Sequence, residues 1–126
     1  MNVIFTCGGT AGHINPAIAL AKLIQQRQPE SRILFIGAKG GMEETLVPRE
    51  GFALKTLEIS NFQRKLSAKN LCHNLTAARQ VVTSAKTARA YIREFAPDVI
   101  VGMGGCASFP AMKQGAKLRI PTLVHE

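Results

Sequence analysis

Short apolar runs recur along the chain, each separated from the next by a longer segment with a different pattern. Runs of this length that are rich in aliphatic and β-branched side chains predict strands. The predicted strands are Asn2–Thr6, Arg32–Ile36, Phe52–Glu58, Asp98–Gly102 and Ile120–Val124. The third is the weakest match to a strand pattern, because it carries two charges and few β-branched residues. Pro121 has no N–H to donate, so the first residues of the fifth strand are expected to be unpaired or at a sheet edge.

The segments between these runs place apolar residues three and four positions apart, which predicts helices. One is expected from Pro16 to about Gln28, and a short one opens at 40–44 and is closed by Pro48 and Gly51. Two more are predicted over Asn70–Phe95 and Phe109–Leu118. The polar and basic segment Ser60–Lys69 is predicted to be a loop. Alternation of strands and helices indicates an α/β fold with a parallel sheet, in a single domain over residues 1–126.

The charge balance narrows the choice of partners. The 126 residues include 16 basic and 8 acidic residues, and the net charge of +8 favours nucleic acid, phosphorylated ligands or an acidic membrane face. The three cysteines form no CxxC pair, which argues against a disulfide framework and fits a reducing compartment. Neither a signal peptide nor a transmembrane stretch is recognisable, so a cytosolic location is expected. The sequence stops directly after an apolar run, which indicates a fragment of a longer protein.

Two glycine-rich loops each follow a predicted strand and precede a predicted helix. The first runs from Gly8 to His13, and the second from Met103 to Ser108. Ligands of parallel sheets bind beyond the carboxyl ends of the strands, where glycines and a helix N-terminus suit phosphate. For the first loop, a tight turn without a ligand is the alternative. The dinucleotide fingerprint lacks its first glycine and its acidic residue, and no Walker A loop occurs, so NAD and P-loop nucleotide binding are disfavoured.

Candidate catalytic residues flank these loops. His13 lies near a helix start, where the dipole favours a neutral imidazole that can act as a general base; a structural histidine is an equal alternative. Glu126 ends the fifth strand on the same side of the sheet and could orient a sugar hydroxyl or support His13, although a polar pair with His125 is favoured slightly. A zinc site could be drawn from Cys7, Cys106 and the two histidines. Reduced thiols used as small apolar side chains are favoured over that site.

The predicted long helix is basic on one face. Arg79, Lys86 and Arg93 recur every seven residues, with Arg89 beside them, and Glu94 is the only acid on the helix. A solvated face is the ordinary interpretation, but this face lacks acidic partners one turn away. Attraction to an anionic membrane surface is therefore the hypothesis for it. Nucleic acid is less favoured, because few aromatic residues accompany the charges for base stacking.

Four segments resemble the MurG family of bacterial transferases, in the order in which that family has them. GGTAGHINPAIALA resembles the first glycine loop of the family, and GMEETLVPREG resembles its second-strand segment. PDVIVGMGGCASFPA resembles the second glycine loop, and IPTLVHE the strand that leads to a His-Glu-Gln-Asn motif. The resemblance covers the entire chain and implies the truncated N-terminal, acceptor-side half of a GT-B fold, a Rossmann-like parallel sheet with flanking helices.

The resemblance also implies a reaction. Family members transfer N-acetylglucosamine from UDP-N-acetylglucosamine to the 4-hydroxyl of undecaprenyl-pyrophosphoryl-N-acetylmuramyl-pentapeptide, with inversion, in peptidoglycan synthesis. No metal or cofactor is implied, since the leaving group is stabilised by helix dipoles. The expected location is the cytoplasmic face of the bacterial inner membrane, as a peripheral protein. A fragment without the donor domain is expected to be inactive.

Individual residues receive roles from the same resemblance. The catalytic positions are matched by His13 and Glu126. The donor contacts are matched by Thr10, Ala11 and Gly12. The acceptor-diphosphate contacts are matched by Gly9, Gly104, Gly105 and Ser108. The chain departs from the family pattern at Ala11, Cys106 and Phe109, where a glycine, a tyrosine and a glycine are usual, so the details of the acceptor contacts are open.

Two alternatives to this function stay open. One is a different GT-B transferase or an epimerase with the same loop, and the sequence beyond Glu126 would discriminate it. The other is a stand-alone membrane- or anion-binding module that pairs with a separate catalytic chain. A reading frame that ends at Glu126 would favour that module.

Overall fold

The computed structural model describes residues 1–59, 71–105 and 107–125, and for 71–78 the backbone alone. The predicted loop at 60–69 and the predictions for Cys106 and Glu126 lie outside the described residues. Parallel strands form one sheet in the order β3-β2-β1-β4-β5. The strands are β1 (Asn2–Thr6), β2 (Arg32–Ala38), β3 (Ala53–Leu57), β4 (Val99–Gly102) and β5 (Thr122–Val124). The α/β prediction is confirmed, and β5 is an edge strand that begins at Thr122, as expected from Pro121.

Helices connect the strands and cover both faces of the sheet. They are α1 (Ala11–Arg27), α2 (Glu43–Arg49), α3 (Leu71–Phe95) and α4 (Ser108–Lys117). The predicted start of α1 at Pro16 was wrong, because the helix begins five residues earlier and Pro16 lies inside it. The chain reverses tightly at Gly9, whose φ is +87°, so the backbone enters the helix almost at once. As a consequence, His13 lies in the first turn of α1 instead of in a loop before it.

Residues of β1 to β4 contribute to two separate core layers, one on each face of the sheet, whereas β5 is exposed. On one face Val3 and Phe5 pack with α1 residues such as Ile14 and Ala17, and the Phe5 and Phe35 rings stack with centroids 5.3 Å apart. On the other face Ile4, Ile36 and Ile100 pack with Ala88 and Ile92 of α3. Strands buried on both faces explain the continuous apolar runs in the sequence.

The register fixes where the glycine loops meet. Thr6, the last residue of β1, pairs with Gly102, the last residue of β4. Both loops therefore leave neighbouring strands at the same level of the same sheet edge. Within the described residues, no helix combines the length and the apolar content needed to cross a membrane.

Candidate functional site

The two glycine loops are in direct backbone contact. Gly104 and Gly105 have φ values of +104° and +94°, in the left-handed region that favours glycine. A Cβ atom on Gly105 would overlap the carbonyl oxygen of Gly8, so a side chain at this position would force the loops apart. The two loops thus meet at the carboxyl edge of the sheet, where ligands of parallel sheets bind.

His13 lies between the two loops. Its Nδ1 atom is 3.2 Å from the carbonyl oxygen of Gly8, and a carbonyl only accepts, so Nδ1 carries the proton in this bond. In the neutral ring, Nε2 then holds a lone pair. The other edge of the imidazole faces Gly104, where a Cβ atom would stand 2.9 Å from Nε2. The half-buried ring is therefore oriented by the first loop and presents its basic nitrogen beside the second.

Ser108 links the second loop to the end of β1. Its buried hydroxyl lies 2.9 Å from the carbonyl oxygen of Thr6 and 2.7 Å from that of Gly104. The Thr6 hydroxyl in turn donates to the carbonyl oxygen of Ala107 at 3.2 Å. In this arrangement the Ser108 hydroxyl holds the second loop against β1, and its predicted contact with an acceptor diphosphate stays a prediction.

Helix N-termini face the same edge. Thr10 is the N-cap residue of α1 and has an extended backbone conformation. Among the described residues, no side chain caps this helix, and its first turn contains no acidic residue. The start of α4 is likewise free of acidic residues and of a side-chain cap among the described residues. The first N–H groups of a helix attract anions. Thr10 and Gly12 are exposed and Ala11 is half-buried, so these predicted donor contacts are accessible, as are Gly9 and Gly105 of the predicted acceptor set.

Glu43 belongs to this edge as well, although the sequence interpretation did not single it out. The glutamate is in the first turn of α2, as expected for an acid, but it is fully buried. Its Oε1 atom accepts the N–H of Ala38 at 2.5 Å, while Oε2 is enclosed without a hydrogen-bond partner. A Cβ atom on Gly8 would stand 2.7 Å from Oε1, and Cβ atoms on Gly37 or Gly41 would overlap the side chain. Gly37 and Gly41, followed shortly by an acid, were the available sequence signal.

Cys7 lies at the end of β1, behind the first loop. Burial, with a smaller contribution from the nearby Glu43 carboxylate, raises the pKa of its thiol to about 12. A thiol that keeps its proton is a poor metal ligand. Across the ranges that the structure describes, no three His, Cys, Asp or Glu side chains group closely enough to hold a metal ion. His125 is exposed, and its N–H donates to Gly102 at 2.8 Å.

The predicted membrane-contact residues do not all share one environment. Arg79, Lys86 and Arg93 are exposed on α3. Arg89 is half-buried, and its Nε atom is enclosed without a hydrogen-bond partner. Exposed apolar side chains lie on the same pair of packed helices, Val81 and Val82 on α3 and Phe109 on α4.

The sheet order and the paired glycine loops define a Rossmann-like domain of the kind that forms the N-terminal half of GT-B glycosyltransferases. The chain belongs to glycosyltransferase family 28, whose N-terminal domain model matches residues 3–126. The resemblance of its motifs to the MurG family is confirmed by the relatives described next.

Two curated relatives carry the name UDP-N-acetylglucosamine--N-acetylmuramyl-(pentapeptide) pyrophosphoryl-undecaprenol N-acetylglucosamine transferase. The one from Acetivibrio thermocellus is 44% identical over 126 residues, which are 100% of this chain and 33% of the relative. The one from Lactococcus lactis is 40% identical over 100% of this chain and 34% of the relative. The crystal structure of Acinetobacter baumannii MurG superposes with a TM-score of 0.81 at 26% identity, over 99% of this chain and 34% of that one. The chain thus spans about a third of the length of its relatives.

Proposed function

We propose that this chain is the acceptor-side domain of an inverting N-acetylglucosaminyltransferase. The donor is UDP-N-acetylglucosamine, and the acceptor is the 4-hydroxyl of undecaprenyl-pyrophosphoryl-N-acetylmuramyl-pentapeptide. The observation that carries the proposal is the position of His13, held by Gly8 and facing Gly104 between the two glycine loops. Identity of 40–44% to transferases of this name, along the whole chain, supports the choice of substrates.

His13 acts as the general base in this proposal. Nε2 takes the proton of the muramyl 4-hydroxyl, whose oxygen attacks the anomeric carbon of N-acetylglucosamine. The bond from that carbon to the diphosphate breaks, and UDP leaves with the electron pair. The Nδ1 bond to Gly8 fixes the tautomer and stabilises the imidazolium that forms. Glu126, the second predicted catalytic residue, would support His13 in this step.

Anion binding is divided between the loops. Thr10, Ala11 and Gly12 at the start of α1 contact the donor diphosphate, whose developing charge the helix N-terminus stabilises. Gly9, Gly104 and Gly105 let the backbone approach the acceptor diphosphate, and Ser108 holds that loop in place. Neither role requires a metal ion or a cofactor.

A lipid-linked acceptor requires access to a membrane, and the α3–α4 surface suits that contact. The exposed Val82 lies three residues after Arg79 and four before Lys86, on the same face of α3. Phe109 and Lys113 lie on α4, with the Lys113 ammonium 5.8 Å from the ring centroid. Basic and apolar side chains on one face are typical of interfacial helices. The protein would then act as a peripheral protein on the cytoplasmic face of the bacterial membrane.

The test is sugar transfer by the complete translation product that contains this chain. Labelled UDP-N-acetylglucosamine and an acceptor analogue with a short prenyl chain are the substrates. His13→Ala is expected to lower kcat by about 10²- to 10⁴-fold, the range typical of a lost general base. The isolated 126-residue chain, assayed beside it, is expected to show no turnover.

A matched variant separates base catalysis from positioning. His13→Gln keeps a donor for the Gly8 carbonyl but has no basic nitrogen, so it should be as inactive as His13→Ala. Full activity in His13→Gln would limit His13 to a positioning role. Transfer to a different acceptor class, with none to the muramyl-pentapeptide, would favour another GT-B transferase instead.

A further inference from the structure

A polar cleft opens between β3 and α3, outside the glycine loops. It has a volume of about 310 Å³ and is lined by side chains from the ends of β2 and β3 and from the middle of α3. It opens at the carboxyl ends of β2 and β3, the edge of the sheet at which the glycine loops also lie. Lys39, the residue after β2, lines the cleft.

Five of the seven lining residues carry a hydroxyl group, and four of these hydroxyls donate their proton to the backbone. Thr83 donates to Arg79 at 2.8 Å, and Thr87 to Thr83 at 3.0 Å. Ser84 donates to Val81, and Tyr91 to Thr56, each at 3.0 Å. A hydroxyl has one proton but two acceptor lone pairs. Apart from the Lys39 ammonium and the Thr56 hydroxyl, the side chains that line the cleft therefore offer hydrogen-bond acceptors to a ligand.

We infer that this cleft binds the pentapeptide of the acceptor, an inference that rests on the proposed function. Peptide backbone N–H groups are the donors that a row of hydroxyl acceptors recognises, whereas a diphosphate carries only acceptors and suits the helix N-termini of the glycine loops. The peptide of the acceptor would thus bind to the surface that supplies hydrogen-bond acceptors, and its diphosphate to the neighbouring surface that supplies donors.

Charges at the mouth of the cleft fit a peptide as well. The Lys39 ammonium lies 3.2 Å from the Glu58 carboxylate, and both side chains are more than half exposed, at 65% and 71%. An exposed pair of this kind is weakly held and opens at small cost. Lys39 can then pair with the terminal carboxylate of the peptide, and Glu58 can accept from its N–H groups.

A second cleft lies farther along α3 and does not meet these requirements. It has a volume of about 380 Å³ and lies at the amino ends of β2 and β3, away from the glycine loops. The cations at its rim are stacked on aromatic rings, Arg32 over Phe95 at 4.9 Å and Lys55 over Tyr91 at 5.7 Å. Of these two clefts, only the first lies at the carboxyl edge of the sheet, where the glycine loops and His13 are.

The test uses the complete translation product and a soluble muramyl-pentapeptide that has neither diphosphate nor lipid. Thr83→Val with Thr87→Val removes two acceptors at nearly constant shape, and Thr45→Val on the exposed side of α2 is the matched control. The dissociation constant measured by calorimetry should rise roughly tenfold in the double variant, as expected for lost hydrogen bonds, and stay unchanged in the control. The KM of the peptide-bearing acceptor should rise likewise, with kcat/KM unchanged for an acceptor that lacks the peptide.

The outcomes of this experiment separate the cleft from the proposed function. Failure of the wild type to bind the muramyl-pentapeptide, or equal affinity in the double variant, overturns the cleft as the peptide site. Binding that depends on the two threonines, in a protein that transfers no sugar, supports the cleft and overturns the proposed function instead.

Discussion

The buried carboxylate of Glu43 fills the space that three glycines leave open, and it bonds the end of β2. Glu43→Ala should lower the free energy of unfolding by about 2–4 kcal/mol, because it leaves a cavity and an unpaired N–H at Ala38. Glu44, the next residue, is exposed and accepts the N–H of Gly40 at 3.0 Å. Glu44→Ala should cost less than about 1 kcal/mol. Equal losses of stability, measured by urea unfolding, would show that burial of Glu43 does not support the loop.

Cys7 makes the stability of the folded protein depend on pH in the alkaline range. Its pKa is about 12 in the folded chain against an ordinary value of 9.0, so the unfolded chain loses the thiol proton first. The contribution is fully present below pH 9 and is lost as the pH rises from 9 to 12, by up to about 1.4 kcal/mol per pH unit. Urea unfolding between pH 8 and 11 should therefore show a steeper decline for the wild type than for Cys7→Ala. Parallel declines would contradict this assignment.

At the scale of elements, the junction of the two glycine loops is the feature on which the proposed chemistry depends. Gly104→Ala would place a Cβ atom 2.9 Å from the His13 ring, at a φ of +104° that a side chain disfavours. The imidazole must then move from its position beside the second loop. We expect kcat of the complete translation product to fall at least about tenfold, since small misplacements of a catalytic group are costly.

The control for this junction is Gly51, in the turn between α2 and β3. Its φ is +85°, and a Cβ atom there would meet nothing within 4 Å. Gly51→Ala should therefore cause similar backbone strain, about 1–2 kcal/mol, without touching the loops. Its kcat should match the wild type at a temperature where both variants are folded. A comparable loss of kcat in both variants would mean that strain, and not the His13 contact, is responsible.

The elements themselves were largely predictable, because local patterns decide them. Apolar runs located every strand to within two residues, and even the weak third strand forms, since β2 and α3 provide its packing partners. The start of α1 was missed because a proline near a helix start is ambiguous between the first turn and a later one. Burial of Glu43 could not be foreseen either, as it depends on how closely Gly8 of one strand end approaches Ala38 of another.

The site was predictable to the level of its loops but not of its contacts. The rule that ligands bind at the carboxyl ends of parallel strands placed both glycine loops and His13 at one edge. The hydrogen bond of His13 to Gly8 and the inward hydroxyl of Ser108 depend on positive φ values in the loops. Such values are a property of the folded backbone, which the glycines permit but do not specify.

At the scale of the whole molecule, the two faces of the sheet differ in the surface they present. The α3–α4 face combines Arg79, Lys86 and Arg93 with the exposed side chains of Val82 and Phe109. Replacing the three basic residues by alanine should weaken binding to anionic vesicles by roughly a hundredfold at low salt. Each basic residue near an anionic surface contributes about 1 kcal/mol to the binding free energy. Vesicle co-sedimentation of the complete translation product, with and without anionic lipid, measures this change.

Net charge alone must be separated from the position of the charges. Lys22, Arg27 and Arg49 are exposed on α1 and α2, which cover the opposite face of the sheet. Their replacement by alanine removes the same formal charge, so long-range attraction falls equally in both variants. If α3 is the contact, only its variant loses most of the binding, because short-range attraction and the burial of Val82 and Phe109 act at that face. Equal losses would mean that the excess positive charge attracts the membrane without a defined docking face, and the lipid-linked acceptor would then have no preferred route to the glycine loops.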